Sequence, residues 1–455
     1  MAKVKKKENL TSEERLQAAL VPDGEQPYKV PENWCWTYLG NVSDVITGGT
    51  PCKKNPKYYG GTFPFFKPAD LDFGRHVVLA SEYLSDEGMS VSRIIPEQST
   101  AVCCIGSIGK SGFLEVTGTT NQQINSAIPK FNPLYLYYFC NTNFFVDELW
   151  KKASATTISI VNKSKMESCI FPLPPFAEQQ RIVDRIESLF AKLDEAKEKA
   201  QAALDSFETR KASILHKAFT GELTAQWRKE NGVRMESWES LTLNDIAEYK
   251  KGPFGSSITK SMFVPKGRNT YKVYEQGNAI RKTVEYGHFY IEEQKYLELK
   301  TFSVNGGDII ISCAGTIGEV FKLPNNCARG IINQALMRVR IFSNIEEQFF
   351  IYYFGEILKG DVIDKANGTA IKNIPPFKIM KAMRIDLPSV TEQAEIVRIL
   401  DDLLAKEQQS KEAAESVLEQ IDLIKKSILA RAFRGELGTN DPAEESAVEL
   451  LKQII

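Results

Sequence analysis

Few stretches of this sequence carry residue types whose spacing could do chemistry. Asn373-Ile374-Pro375-Pro376-Phe377 holds an amide, two prolines and an aromatic ring, the parts with which an amine can be pinned against a stacked ring. That arrangement needs the Asn directly before the first Pro. Here Ile374 intervenes, and no Gly-rich strand–turn–helix precedes the segment to hold a nucleotide cofactor. Gly109-Lys110-Ser111 ends like a phosphate loop, but the position where its first glycine would stand is Cys104. Ser107 has no histidine near it in sequence to serve as a base. Eight cysteines include no Cys-x-x-Cys pair, and the three histidines (His76, His216, His288) lie far apart. Zinc ligation is therefore not expected, and the thiols read as reduced. Gly106-Ser107-Ile108-Gly109 and Gly315-Thr316-Ile317-Gly318 are expected to be tight turns after buried strands rather than reactive loops.

What would position such residues is a repeat. Ser213–Leu223 (SILHKAFTGEL) returns as Ser427–Leu437 (SILARAFRGEL), 427 − 213 = 214 residues later. At that shift Leu173–Leu223 and Leu387–Leu437 share 22 identities in 51 ungapped positions. Chance gives about three, so the chain is internally duplicated. Each copy predicts a long helix after a Pro turn. Ile182, Ile186, Leu189, Leu193, Ala196, Ala200, Leu204 and Phe207 form a narrow stripe, and Ile396, Leu400, Leu403, Leu418 and Ile421 form its counterpart. No Pro or Gly interrupts either helix before Gly221 and Gly435, which fit helix termination. Forty residues make a rod of roughly 60 Å that cannot bury its stripe alone. The other copy is the natural partner, and a local two-fold sets the pair antiparallel.

The segments between the helices are related more faintly. Ile105-Gly106-Ser107-Ile108-Gly109 answers Ala314-Gly315-Thr316-Ile317-Gly318, Asn121-Gln122 answers Asn333-Gln334, Trp34 falls on Trp238 and Gly48 on Gly252. Short apolar strands mixed with helical stretches predict an α+β class. The expected plan is a tail (1–23), a globule (24–172), a long-helix region with linker (173–232), a second globule (233–386), a second long-helix region (387–438) and a C-terminal tail (439–455). Head and tail together would stand where the central linker stands. The 455 residues carry a net charge of −1 and are 43% hydrophobic, ordinary for a soluble chain, and no apolar run is long enough for a membrane span. The charge is uneven: Val233–Asp386 has 21 basic and 17 acidic residues, and Leu387–Ile455 has 8 and 14.

Two long helices ending in SIL-x-(K/R)-AF-x-GEL, each preceded by a Pro turn and Glu-Gln, resemble the specificity subunits of Type I restriction–modification systems. Gly221–Asn231 (GELTAQWRKEN) resembles the central linker of that family; SIGK, TNQQ and INQALM resemble segments of its globules. The resemblance spans about Tyr28 to Leu437. It implies two target recognition domains on a paired-helix spacer, a non-catalytic subunit and a split recognition site in double-stranded DNA. It implies as partners two methyltransferase subunits carrying S-adenosylmethionine and restriction subunits using ATP and Mg, all in a prokaryotic cytoplasm. Cofactors are expected on those partners, not on this chain. Base edges in such heads should meet Arg, Lys and amides, and phosphates should meet Lys and hydroxyls. The candidates are Lys53, Lys54, Lys57, Lys67 and Arg75 in the first globule, Lys163 and Lys165 near its junction with the helix, and Lys260, Lys266, Arg268, Arg281 and Lys282 in the second. The alternatives are a coiled-coil scaffold that reads no DNA and a stand-alone DNA adenine methyltransferase.

Overall fold

Thr100–Cys103 (TAVC) and Ile309–Ser312 (IIIS) are buried at every position, because each is an inner strand of a four-stranded antiparallel sheet. A computed structural model describes residues 11–154, 159–357 and 377–455. In the first sheet the order is Ser43–Thr47, Ile124–Pro129, Thr100–Cys103, Ser111–Phe113; in the second it is Ala247–Lys251, Leu336–Ile341, Ile309–Ser312, Val320–Lys322. The duplication faintly visible in sequence is thus a repeated topology. A smaller sheet repeats too: Tyr59–Phe66 pairs antiparallel with Glu82–Leu84 and parallel with Thr119–Thr120, as Thr270–Tyr274 does with Tyr290–Glu292 and Gly330–Ile332. A two-stranded ribbon closes each globule, with Cys35 opposite Leu173 in one and Glu239 opposite Leu387 in the other. The class is α+β, as expected.

The chain divides into two compact units, Met1–Gln201 with Glu415–Ile455, and Ala202–Ala414. Both boundaries fall inside the long helices. In the first unit Ile182, Val183 and Ile186 share a core with Leu429, Ala432 and Phe433. Further along, Lys425 lies 5.0 Å from the Phe190 ring and pairs with Asp194. In the second unit Leu215 and Ala218 share a core with Ile396 and Leu400, Arg210 pairs with Glu407 at 2.8 Å, and Lys411 lies 5.0 Å from the Phe207 ring. Rising numbers on one helix meet falling numbers on the other, so the pairing within each unit is antiparallel.

One expectation needs correction. The second long helix is continuous over Val390–Ala432, but the first is two helices, Phe176–Asp205 and Phe207–Phe219. The Ser206 hydroxyl donates to the carbonyls of Ala202 (2.8 Å) and Ala203 (3.2 Å), competing with the helical amides. Arg210 then donates to the Ala203 carbonyl at 3.2 Å. Both helices end as their glycines suggest, with Gly221 at φ +80° and Gly435 at φ +74°.

The Glu-Gln pair that opens each helix is what docks the globule. Glu178, Gln179, Glu392 and Gln393 are all fully buried. Trp34 Nε1 donates to Glu178 at 2.7 Å and Trp238 Nε1 to Glu392 at 3.0 Å. Gln179 accepts the Asn132 amide (3.1 Å) and donates to the Pro174 carbonyl (3.1 Å); Gln393 accepts from Glu346 (2.7 Å) and donates to Pro388 (2.8 Å). The remaining oxygens are met differently. The central linker supplies Thr224 (2.7 Å) and Arg228 (2.6 Å) to Glu392. The C-terminal tail supplies Thr439 (3.3 Å) and Asn440 (2.9 Å) to Glu178, while Arg181 grips Glu444 through both terminal nitrogens at 2.7 Å. Head and tail do meet in the first unit. Asn33 donates to the Asp441 carbonyl and accepts from the Ala447 amide through its own carbonyl, and Leu16, Leu20 and Val448 pack on the same core. The tail therefore does for the first helix what the linker does for the second.

Candidate nucleic-acid interface

Each globule brings two of its matched segments to one corner. In the first, strand Ser43–Thr47 runs into Gly48 and Gly49, whose amides donate to the carbonyls of Ile124 (2.9 Å) and Thr120 (2.8 Å). A Cβ on Gly48 would lie 2.2 Å from the Asn121 carbonyl oxygen, so the approach requires glycine. Asn121 folds its side chain back onto the Gln123 amide at 3.0 Å. That turn leaves Gln122 exposed, bonded to the Thr50 hydroxyl. Arg93 reaches the Thr47 carbonyl at 2.6 Å and adds a cation there. In the second, strand Ala247–Lys251 runs into Gly252, whose amide donates to Leu336 at 2.9 Å and whose Cβ would lie 1.8 Å from the Asn333 carbonyl. Asn333 bonds the Ala335 amide at 3.0 Å, and Gln334 is again exposed. The two corners have the same construction and present an exposed glutamine amide at the same place. Such an amide can make paired hydrogen bonds to an adenine edge; it has no means of making or breaking a covalent bond.

The candidate cations divide into two groups. Lys53, Lys54 and Lys57, on the loop leaving the first corner, and Lys260, Lys266 and Arg268, on the corresponding stretch of the second globule, are exposed and in no ion pair with a described residue. The others are engaged. Lys67 pairs with Glu82 at 2.8 Å. Arg75 lies between Glu115 (3.0 Å) and Glu187 of the long helix (3.3 Å), over the Phe113 ring. Lys163 pairs with Glu167 at 3.6 Å, and Lys165 donates to Ser154 at 2.6 Å. Arg281 stacks on Tyr286 at 4.7 Å. Lys282, with a left-handed backbone (φ +52°), ties the hairpin at Glu319 (3.0 Å) and Val320 (2.6 Å). Arg75 and Lys282 thus hold elements together. Sequence reasoning sought cations in Gly- and Pro-rich loops and passed over Arg93, Lys250 and Lys251. The signal was present: Gly48 aligned on Gly252 and Asn121 on Asn333 mark the two sides of one corner, and Lys250-Lys251 sits directly against it.

The tempting motifs settle into scaffold. Gly106, Gly109, Gly315 and Gly318 all have positive φ (+82°, +88°, +65°, +82°) and form the two hairpin turns. Lys110 pairs with Asp72 at 2.7 Å rather than facing an anion loop. Burial pushes the Cys35 and Cys104 thiols up to about 12, away from nucleophilic thiolate. Among the described residues no cluster of His, Cys, Asp or Glu could hold a metal, and no helix is long and apolar enough to cross a membrane. Asn373 to Pro376 lie outside the described residues.

Comparison with known proteins gives a consistent picture. The profile of a family described as the Type I restriction modification DNA specificity domain matches residues 31–204 and again 235–420. The specificity subunit of the Type I restriction enzyme StySPI of Salmonella potsdam is 23% identical over 94% of this chain and 96% of its own length. The EcoKI specificity subunit of Escherichia coli K12 is 23% identical over the same shares. The crystal structure of the HsdS subunit from Thermoanaerobacter tengcongensis superimposes with a TM-score of 0.64 at 20% identity, covering 91% of this chain and all of that one.

Proposed function

Because the chain belongs to the Type I restriction–modification DNA specificity family, whose members supply the sequence specificity of these systems, we propose that its two globules each read one half of a split DNA site while chemistry is carried by partner subunits. The observation that carries this reading is the repeated corner, with a glycine pressed on an Asn-Gln turn, an exposed Gln122 or Gln334 and basic residues alongside. Two copies of one reader on one chain suit two half-sites on one duplex. An internal two-fold also suits two identical methyltransferase subunits, each engaged in the same way. S-adenosylmethionine belongs to those subunits, and ATP and Mg to the restriction subunits; the buried thiols and engaged lysine of this chain offer no nucleophile or phosphate cradle of its own. The assembly acts in the cytoplasm, where the DNA is.

The test is an exchange. Replacing Val233–Asp386 by the same region of a relative, in the assembled complex, should change one half of the methylated sequence and leave the other. Base contacts are local to each head, so single-molecule methylome sequencing of the host should show one altered half-site. A swap that changed both halves would defeat independent reading. An assembled complex with no sequence preference in a mobility-shift assay would favour the scaffold alternative.

A further inference from the structure

The second corner differs from the first in one respect. Where the first has Thr50, the second has Phe254, held between Gly252-Pro253 and Gly255. Phe254 is 87% exposed, more than any other large apolar side chain among the described residues. It stands at the mouth of a groove of about 750 Å3 whose walls include Tyr249, Lys250, Lys251, Phe302 and Gln334. No carboxylate lines this groove. Lys251 is exposed, and Lys250 lies over the Phe302 ring at 5.1 Å with no acidic partner. The Tyr249 hydroxyl is buried with the residue only 3% exposed, yet it has no hydrogen-bond partner. A buried hydroxyl left unsatisfied costs stability and is uncommon in native proteins.

An aromatic ring held out in water, two unpaired cations beside it, no anion and an unused hydroxyl together describe a surface complementary to a polyanion that carries flat rings. A hydrophobic peptide would fit the rings and leave the lysines uncompensated. A small acid would fit the lysines and leave Phe254 in water. We propose that this groove receives the duplex at the half-site read by the second globule, and that Phe254 stacks on a base there by opening a base step. Lys250 and Lys251 then hold the flanking phosphates, and Gln334 lies within reach of the neighbouring base edge. Aromatic wedges of this kind unstack a step and are repaid by wider contact. The first globule, with Thr50 in that place, opens no step, so the two halves of the site are read by different means. The inference rests on the DNA-reading function proposed above.

The experiment uses the full chain assembled with its methyltransferase subunits and a duplex carrying the site mapped by methylome sequencing. 2-Aminopurine is placed at successive positions of each half-site. With the wild-type complex, fluorescence should rise at one step of the second half-site and at none of the first. Phe254→Ala should abolish the rise and weaken specific binding about 10- to 100-fold, the usual loss for one base–aromatic stack. Phe254→Trp should keep both. Lys250→Gln and Lys251→Gln should weaken binding to every sequence and lower the salt dependence by about one ion each. Phe342→Ala, an exposed ring outside the groove in the same unit, serves as the control. Because Phe254 is exposed, the alanine variant should melt with the wild type. Wild-type selectivity that survives in Phe254→Ala within twofold, with no fluorescence change to lose, overturns the wedge and leaves the DNA-reading function standing. A wild-type complex without sequence preference overturns both.

Discussion

Glu178 and Glu392 show how a residue can be conspicuous in sequence and still have its role hidden. Their repetition 214 residues apart is plain, but a glutamate in an amphipathic helix reads as a solvated charge. Here each is fully buried, and its partners come from segments of the chain far away in sequence. The difference between the two sites gives a prediction. Arg228 and Glu392 form a buried ion pair at 2.6 Å, with side chains 10% and 0% exposed. Arg228→Ala leaves the Glu392 carboxylate with only Trp238 and Thr224, and breaking a buried pair costs about 3–5 kcal/mol. Thermal unfolding should lose the early part of its cooperativity as the second unit melts first. Adding Glu392→Gln removes the stranded charge and should restore part of the loss; a double variant no more stable than Arg228→Ala would show that the arginine acts by packing on Trp238 instead. At the first site Asn440 stands in the arginine's place. Asn440→Ala removes one neutral donor and should cost less, about 1–3 kcal/mol.

The long helices were legible as elements because a stripe at steps of three and four needs no tertiary information. Their depth and continuity were not. Ile182 and Ile186 are fully buried because a globule packs on them as well as the partner helix, whereas Leu189, Leu193 and Leu204 are only half-covered by a two-helix seam. The break at Ser206 was hidden because serine is neutral in helix sequences; only the path of its hydroxyl, to Ala202 and Ala203, opens the helix. The seam makes its own prediction. Leu193→Asp puts a carboxylate into a half-buried apolar strip near Asp194 and should destabilise the first unit by roughly 2 kcal/mol, seen as a fall of several degrees in its melting transition. Leu423, on the partner helix in the same unit but 65% exposed, should tolerate Asp within about a degree. Equal effects at the two positions would mean that the stripe is not the packed face.

At the scale of the whole molecule, the order of globule and helix was readable from the repeat, and so was the α+β class. The reading surface was not. Its parts, Gly48 with Asn121 and Gly252 with Asn333, are some 70 to 80 residues apart (121 − 48 = 73; 333 − 252 = 81), and nothing local says that they touch. The same repeat sets a last expectation. If the paired helices set the distance between two readers, helix length should appear in the DNA as gap length. A helix rises about 1.5 Å per residue, so four added residues lengthen it by roughly 6 Å, at most about two base pairs of duplex. Four residues are also close to one turn, which keeps the apolar stripe on its face. An insertion near Ala200 alone would slip the antiparallel register that Asp194 with Lys425 and Arg210 with Glu407 mark on either side, so a matching insertion near Ala414 is needed. The doubly extended chain should keep both half-sites and lengthen the unread gap between them. Methylome sequencing of a strain carrying it would report the new gap directly. An active enzyme with an unchanged gap would mean that the globules find their spacing on the DNA rather than from these helices, and an enzyme active only with the single insertion would mean that the two helices do not share one register.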